Sequence, residues 1–137
     1  MAMARRPLPA LATTLSFIDR VNQMDLAGLA DLMHPDHCLV VLDEPPIVGR
    51  DANVDAWRGY FTAFPRYVIY PRFLTAKTDR VAVLGNTTGS HLNLADDDEL
   101  NLNVIWIAEA DQGLLTRWQV CDDTPVLRRE LSIPGTV

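Results

Sequence analysis

The second half of the chain contains four strand-like segments that follow one another with only short turns between them. They comprise residues 67–76, 80–92, 100–110 and 114–122. Each is rich in β-branched and other apolar residues, and turn-forming residues separate neighbouring segments. Because strands so close in sequence usually lie side by side, the pattern predicts an antiparallel meander.

In the first half of the chain, the apolar residues recur with the period of an α-helix. Between residues 9 and 24, apolar side chains recur every three or four positions, which predicts one amphipathic helix. Asp25 is a typical N-cap for a second helix ending at a turn at 34–36, and residues 49–51 begin a third. An apolar run at 38–42 predicts a strand. The 137 residues therefore predict a single α+β domain, with three helices on one side of a curved, mainly antiparallel sheet.

The last predicted strand ends in a carboxylate that shares a face with two apolar side chains. Alternate strand residues point to the same side, so Trp118, Val120 and Asp122 point together. A carboxylate on an apolar face is costly unless it is paired or protonated, and proteins often use such acids for chemistry. Asp122 is therefore a candidate general acid or base. The alternative is a solvated residue just past the strand end, before Pro125.

The charge of the chain argues against two classes of partner. A formal net charge of −6 disfavours binding to nucleic acid or to an anionic membrane surface. The acidic run at 96–99 is interpreted as a solvated turn, because a calcium loop spaces its acids at alternating positions around a glycine. No apolar run is long enough to span a membrane, and prolines interrupt the signal-peptide-like start. We therefore expect a cytoplasmic protein.

The cysteine and histidine residues give no metal signature. Cys38 and Cys121 lie in apolar runs and are expected to be buried, reduced thiols. His34 and His37 flank a turn and are expected at the surface, and three histidines without close spacing do not form a zinc site. Phosphate-binding and dinucleotide-binding motifs are also missing from the sequence. The sequence thus predicts neither a metal nor a cofactor.

Two further positions are candidates for acid–base chemistry. Asp43 and Glu44 follow the first predicted strand, and because both faces of that strand are apolar, alternation does not decide which carboxylate faces a pocket. The simpler interpretation is a loop carboxylate or an ion pair with Arg50 or Arg72. His91 is a candidate proton shuttle, since histidine changes charge near neutral pH, although a lone histidine is more often structural.

The order of these elements and several local sequences resemble the nuclear transport factor two-like superfamily, and within it the SnoaL-like polyketide cyclases. The similarity covers roughly residues 15–125. It rests on Asp25-Leu26-Ala27-Gly28-Leu29, Asp43-Glu44-Pro45-Pro46, Gly49-Arg50-Asp51, Gly85-Asn86-Thr87-Thr88-Gly89 and the tryptophan and aspartate at 118 and 122. Membership implies a cone-shaped half barrel whose helices and sheet enclose an apolar pocket, and usually a homodimer formed through the sheet.

The resemblance also allows three activities to be compared by residue. Ketosteroid isomerases bind an oxyanion with a tyrosine on the first helix and a protonated aspartate on a strand; here Phe17 and Trp106, or its neighbour Ile105, stand at those positions. Limonene epoxide hydrolases need an arginine and aspartate pair that residues 86–90 lack. SnoaL-like cyclases use an aspartate four residues after a tryptophan on the last strand, and Asp122 fits that position.

Aromatic residues are concentrated on the third helix and in the sheet. In a cone fold the third helix closes the pocket, so some of these side chains would contact a flat or polycyclic hydrophobic molecule. The predicted substrate-binding residues are Phe17, Trp57, Tyr60, Phe61, Trp106, Trp118 and Val120.

The sheet is also expected to form a homodimer interface. One sheet face must pack on the helices, and the other still carries aliphatic residues from Leu84 or Val83 and from Ile105 and Ile107. An exposed apolar surface of that extent usually marks an interface, and two-fold symmetry is the commonest arrangement.

Two classes of function are consistent with these features. The first is a cofactor-free isomerase, cyclase or related lyase acting on a hydrophobic small molecule, with Asp122 as general acid or base assisted by Glu44 or His91. The second is a non-catalytic protein that binds a hydrophobic metabolite or serves as an accessory subunit. An Asp122 carboxylate inside the pocket would favour the enzyme, and a solvated one would remove its catalytic case.

Overall fold

The computed structural model describes residues 9–135 and shows helices packed on one curved, open sheet. The helices are α1 (Ala10–Asn22), α2 (Leu26–Leu32), α3 (Arg50–Ala63), α4 (Asp96–Glu99) and α5 (Pro125–Glu130). The strands are β1 (Met33–Val41), β2 (Ile47–Val48), β3 (Val68–Lys77), β4 (Arg80–Thr88), β5 (Val104–Asp111) and β6 (Leu114–Asp122). The predicted α+β class with a curved, mainly antiparallel sheet is confirmed, and α4, α5 and β2 are additions to it.

The six strands lie in the order β2-β1-β6-β5-β4-β3. The strands β3 to β6 are consecutive antiparallel neighbours, as the short turns between them predict. β1 pairs in parallel with β6, with Leu39 opposite Trp118 and Val41 opposite Val120. This pairing places the carboxyl ends of the first long strand and the last strand side by side.

The first two helices follow from local sequence signals. α1 buries Phe17, Ile18 and Val21, whose spacing of one, three and four residues puts them on one side of the helix. Asp25 caps α2, because its side chain accepts a hydrogen bond from the Gly28 amide at 2.9 Å. The buried residues of both helices join the main core, which lies between the helices and one face of the sheet.

β1 begins earlier than predicted and includes the segment predicted as a turn. Pro35 is tolerated because it precedes the residues that pair with β2, and the register against β6 shifts between Met33 and Cys38. The surface position predicted for His37 is wrong: the residue is 0% exposed, and its Nδ1 lies 2.8 Å from the Leu115 carbonyl oxygen. Burial lowers the pKa of His37, against the opposing effect of the bond to Leu115.

The other face of the sheet is covered by the C-terminal part of the chain itself. Residues after α5 place Leu131 and Ile133 in one apolar cluster with Leu84, Ile105 and Ile107, which are 2%, 0% and 4% exposed. The homodimer prediction assumed that this face was exposed, and that assumption is wrong because the C-terminal segment folds back over the sheet. The homodimer itself stays a prediction.

A largely buried ion pair links the residue after β6 to α5. Asp123 and Arg128 form two hydrogen bonds, Nε to Oδ1 and Nη2 to Oδ2, both of 2.6 Å. Arg128 also donates to the Pro134 carbonyl oxygen at 2.8 Å, and Asn103 donates to Asp123 at 3.1 Å. The hydrogen bonds from Arg128 lower the pKa of Asp123 by more than desolvation raises it. The ionised pair therefore stabilises the covered sheet face.

Asp123→Asn is expected to lower the free energy of unfolding at neutral pH by about 2 kcal/mol and to weaken its acid dependence. A carboxyl group with a depressed folded-state pKa stabilises the fold above its unfolded pKa of about 3.9, and this contribution is lost as the pH falls through the folded value. Urea unfolding at neutral and acidic pH measures both effects. Asp111→Asn, at an exposed strand end, is the control. An acid dependence equal to that of the wild type in the Asp123 variant would contradict this account.

Candidate functional site

A largely apolar cavity of about 350 Å³ opens between α3 and the adjoining ends of β1 and β6. It is lined by Leu39, Val41, Glu44, Ile47, Ala56, Trp57, Tyr60, Tyr67, His91, Trp118 and Val120. The parallel pairing of β1 with β6 forms one wall, and α3 forms the opposite one. A concave site with mostly apolar walls and a few polar groups has the character of a small-molecule site.

Four of the predicted substrate-binding residues line this cavity. Trp57 and Tyr60 reach it from α3, one turn apart on the same helix face, and Trp118 and Val120 reach it from β6. Their spacing in the sequence, three residues on a helix and two on a strand, is the reason why each pair points the same way.

Three other predicted residues do not reach the cavity. Phe17, Phe61 and Trp106 are 0%, 7% and 1% exposed and pack in the core behind the lining residues. The rings of Phe17 and Trp106 lie 5.0 and 6.2 Å from Trp118, and Phe61 lies 5.5 Å from Trp57. These three side chains pack behind the aromatic residues that line the cavity. The sequence pattern does not distinguish a lining residue from a core residue directly behind it.

Asp122 also lies outside the cavity. It is the last residue of β6, pairs in register with Val104 and is exposed. Alternation puts it on the same side as Trp118 and Val120, but the strand carries it past the end of the cavity wall. The solvated alternative is therefore the one observed, and the apolar surroundings on which its acid–base role depended are missing.

Glu44 is the carboxylate that reaches the cavity. β1 ends at Val41, Leu42 has a φ of 48°, and the Glu44 amide donates to the Val41 carbonyl oxygen at 2.9 Å. This tight turn puts Glu44 at the cavity mouth, whereas Asp43 is not a lining residue. The conformation of the turn therefore determines that Glu44, and not Asp43, lines the cavity, which strand alternation alone does not decide.

His91 and Tyr60 form a hydrogen-bonded pair at the mouth of the cavity. The Tyr60 hydroxyl lies 2.8 Å from His91 Nδ1 and accepts the His91 backbone N–H at 3.2 Å. Burial raises the pKa of Tyr60, so the phenol stays protonated and can orient the imidazole. Gly89 sets the turn before His91, because its φ is 68° and a Cβ there would lie 2.4 Å from the Arg66 carbonyl oxygen.

A buried carboxylate anchors the segment that precedes His91. Glu99 is 1% exposed and accepts hydrogen bonds from the Thr87 hydroxyl and, at 3.3 Å, from the Ser90 amide. The acidic run predicted as a solvated turn is therefore wrong at its last residue, since α4 turns Glu99 inward while its first three residues stay exposed. A run of like charges in a sequence does not show which of its members is buried.

Tyr67 is a cavity residue outside the predicted substrate-binding set. It precedes β3, and its ring lies 5.0 Å from that of Tyr60. Burial raises the pKa of Tyr67 far above its ordinary value, with smaller contributions from Tyr60 and Glu99. Its sequence position, an aromatic residue just before a strand, is equally typical of a core residue.

Within residues 9–135, no group of three or more histidine, cysteine or acidic side chains is arranged to hold a metal ion. Cys38 and Cys121 are free thiols that are half-buried, and so less buried than predicted. The same part of the chain contains no helix that is long and apolar enough to cross a membrane.

The curved open sheet with its helix-covered cavity defines the nuclear transport factor two-like class of folds. The chain belongs to the SnoaL-like domain family, whose model matches residues 15–118. The match runs from α1 to Trp118 and so includes nearly every lining residue of the cavity. No curated protein sequence matches the chain.

Solved structures with this fold extend over most of the chain. A provisionally assigned polyketide cyclase from Sinorhizobium meliloti is 17% identical, with 83% of this chain and 100% of that one covered and a TM-score of 0.68. A provisionally assigned SnoaL-like polyketide cyclase from Jannaschia sp. CCS1 is 17% identical, with 98% and 100% covered and a TM-score of 0.66. TerC, co-crystallised with polyporic acid, is 21% identical, with 90% and 98% covered and a TM-score of 0.70. At these identities the similarity establishes the fold.

Proposed function

We propose that the protein is a cofactor-free enzyme of the isomerase or cyclase type that acts on a hydrophobic small molecule. The observation that carries this proposal is that one carboxylate, Glu44, and one imidazole oriented by a hydrogen bond, His91, both line the same apolar cavity. A carboxylate and an imidazole are the groups most often used for general acid–base catalysis. Provisional polyketide cyclases among the structural neighbours are consistent with this class of reaction.

In the proposed reaction, Glu44 removes a proton from a carbon next to a carbonyl group of the ligand. The electron pair of that C–H bond moves to the carbonyl oxygen, which becomes an enolate. We assign to His91 the tautomer in which Nδ1 accepts a hydrogen bond from the Tyr60 hydroxyl. The proton of the neutral imidazole is then on Nε2, which donates a hydrogen bond to the ligand. Return of the proton to another carbon gives isomerisation. Alternatively, the enolate carbon attacks a second carbonyl group, the electron pair of that C=O π bond moves to its oxygen, and the proton held by Glu44 is transferred to the resulting alkoxide, which completes ring closure.

A second function is favoured by a separate observation. The oxyanion-binding positions of the isomerases hold Phe17 and Trp106, both buried in the core, and Asp122 is exposed. A protein with this cavity but without catalysis would bind a hydrophobic metabolite or act as an accessory subunit. In either case the proposed partner is a hydrophobic small molecule, and a homodimer remains the proposed assembly.

Proton exchange separates the two functions without knowledge of the natural substrate. A panel of hydrophobic aryl ketones, each with exchangeable hydrogens beside the carbonyl group, is incubated with the protein in deuterated water, and NMR measures deuterium uptake at that carbon. The enzyme hypothesis predicts uptake above the buffer rate for those ketones that bind. Binding of several ketones without any added exchange would support the binding protein and overturn the proposed catalysis.

A further inference from the structure

One of the three tyrosines has a hydroxyl group without a partner in the described structure. The Tyr60 hydroxyl is bonded to His91, and the Tyr70 hydroxyl lies 3.2 Å from Thr88 Oγ1. No residue in the range 9–135 forms a hydrogen bond with the Tyr67 hydroxyl, although Tyr67 lines the cavity and is only 8% exposed. The Tyr67 hydroxyl is not among the fully enclosed atoms that lack a partner, so it opens on the cavity, where a ligand can accept its hydrogen bond.

The charges around the cavity restrict what that ligand can be. Its ionisable lining residues are Glu44, His91 and two tyrosines, and none of the lining residues is a lysine or arginine. The buried carboxylate of Glu99 lies behind this wall, where it acts on both tyrosines. An anionic ligand would therefore lose hydration without gaining a cation, whereas a neutral hydrogen-bond acceptor would not meet this penalty.

We propose that Tyr67 donates a hydrogen bond to the carbonyl oxygen of a neutral hydrophobic ligand, and that the cavity selects ketones, aldehydes or quinones over hydrocarbons and carboxylates of the same shape. This inference rests on the proposed function only for the place where the ligand binds. During proton transfer to Glu44, the same hydrogen bond would stabilise the negative charge that develops on that oxygen.

Three probes of nearly equal shape test this selectivity by calorimetric titration: methyl naphthyl ketone, ethylnaphthalene and naphthoate. The wild-type protein is expected to bind the ketone at least about tenfold more tightly than the hydrocarbon, since only the ketone accepts hydrogen bonds in the cavity. Naphthoate is expected to bind most weakly. Tyr67→Phe removes only the hydroxyl group, so it should reduce the preference for the ketone severalfold and leave the affinity for ethylnaphthalene unchanged, whereas the donor assigned to His91 Nε2 is kept.

Tyr70→Phe is the matched control, because Tyr70 is an exposed tyrosine outside the cavity lining, and it should keep the preference. Equal wild-type affinities for ketone and hydrocarbon would overturn the inference, as would a Tyr67→Phe variant that weakens both probes alike. A preference for the ketone without deuterium exchange would refute the proposed catalysis but support this inference. Deuterium exchange without a preference for the ketone would support the proposed catalysis but refute this inference.

Discussion

Replacing Glu44 with glutamine is expected to slow the proposed proton transfer by at least about a hundredfold. Glutamine keeps the size and shape of the side chain but does not accept a proton from a carbon acid. Because Glu44 is exposed at the cavity mouth, the substitution should change the free energy of unfolding by less than about 0.5 kcal/mol. The initial rate of deuterium uptake by a bound ketone measures the first effect, and urea unfolding measures the second.

Two nearby carboxylates provide matched controls for this substitution. Asp43→Asn changes the adjacent carboxylate, and Asp122→Asn changes the one at the end of β6; both residues are exposed, and neither lines the cavity. Each variant is expected to keep the exchange rate within a few fold. A large loss in Asp122→Asn together with a small one in Glu44→Gln would transfer the role of base to Asp122 and contradict the assignment made here.

Phe17→Ala is expected to lower the free energy of unfolding by about 4 kcal/mol. Phe17 is 0% exposed, and its ring lies 5.0 Å from that of Trp118, 5.9 Å from His37 and 6.2 Å from Trp57. Alanine would remove a complete ring from the point where α1, α3 and both paired strands meet, and the surrounding aromatic residues are too rigid to fill the space. Equilibrium unfolding in urea measures the loss.

The control for Phe17→Ala lies on the same helix. Leu15 is 43% exposed, so Leu15→Ala is expected to change the free energy of unfolding by about 0.5 kcal/mol. Similar values for the two variants would mean that Phe17 is not packed as described. Phe17 would then again be a candidate ligand-contacting residue, as the sequence predicted.

The sequence was sufficient for features that depend on neighbouring residues. The N-cap at Asp25, the helical spacing of Phe17, Ile18 and Val21, and the turns between consecutive strands are all local, because the groups that interact are separated by a few residues. The order of these elements also carried the resemblance to the SnoaL-like family, which the match over residues 15–118 confirms.

The sequence was insufficient where the position of a side chain depends on distant parts of the chain. Whether Trp106 lines the cavity or supports Trp118 from behind depends on depth within a curved sheet. Asp122 has the correct phase on its strand but lies two residues beyond Val120, the last lining residue of that strand. Glu99 is buried because Thr87 and Ser90 supply its hydrogen bonds, and no property of its own acidic segment indicates them.

The pairing of β1 with β6 also affects when the cavity can form during translation. β1 (Met33–Val41) leaves the ribosome long before β6 (Leu114–Asp122), yet the two strands together supply four of the lining residues, Leu39, Val41, Trp118 and Val120. A contact between such distant segments requires closure of a long loop and forms slowly. A nascent chain therefore lacks the wall that would hold a ligand until β6 has been synthesised, and ligand binding can stabilise only chains in which β1 and β6 have paired.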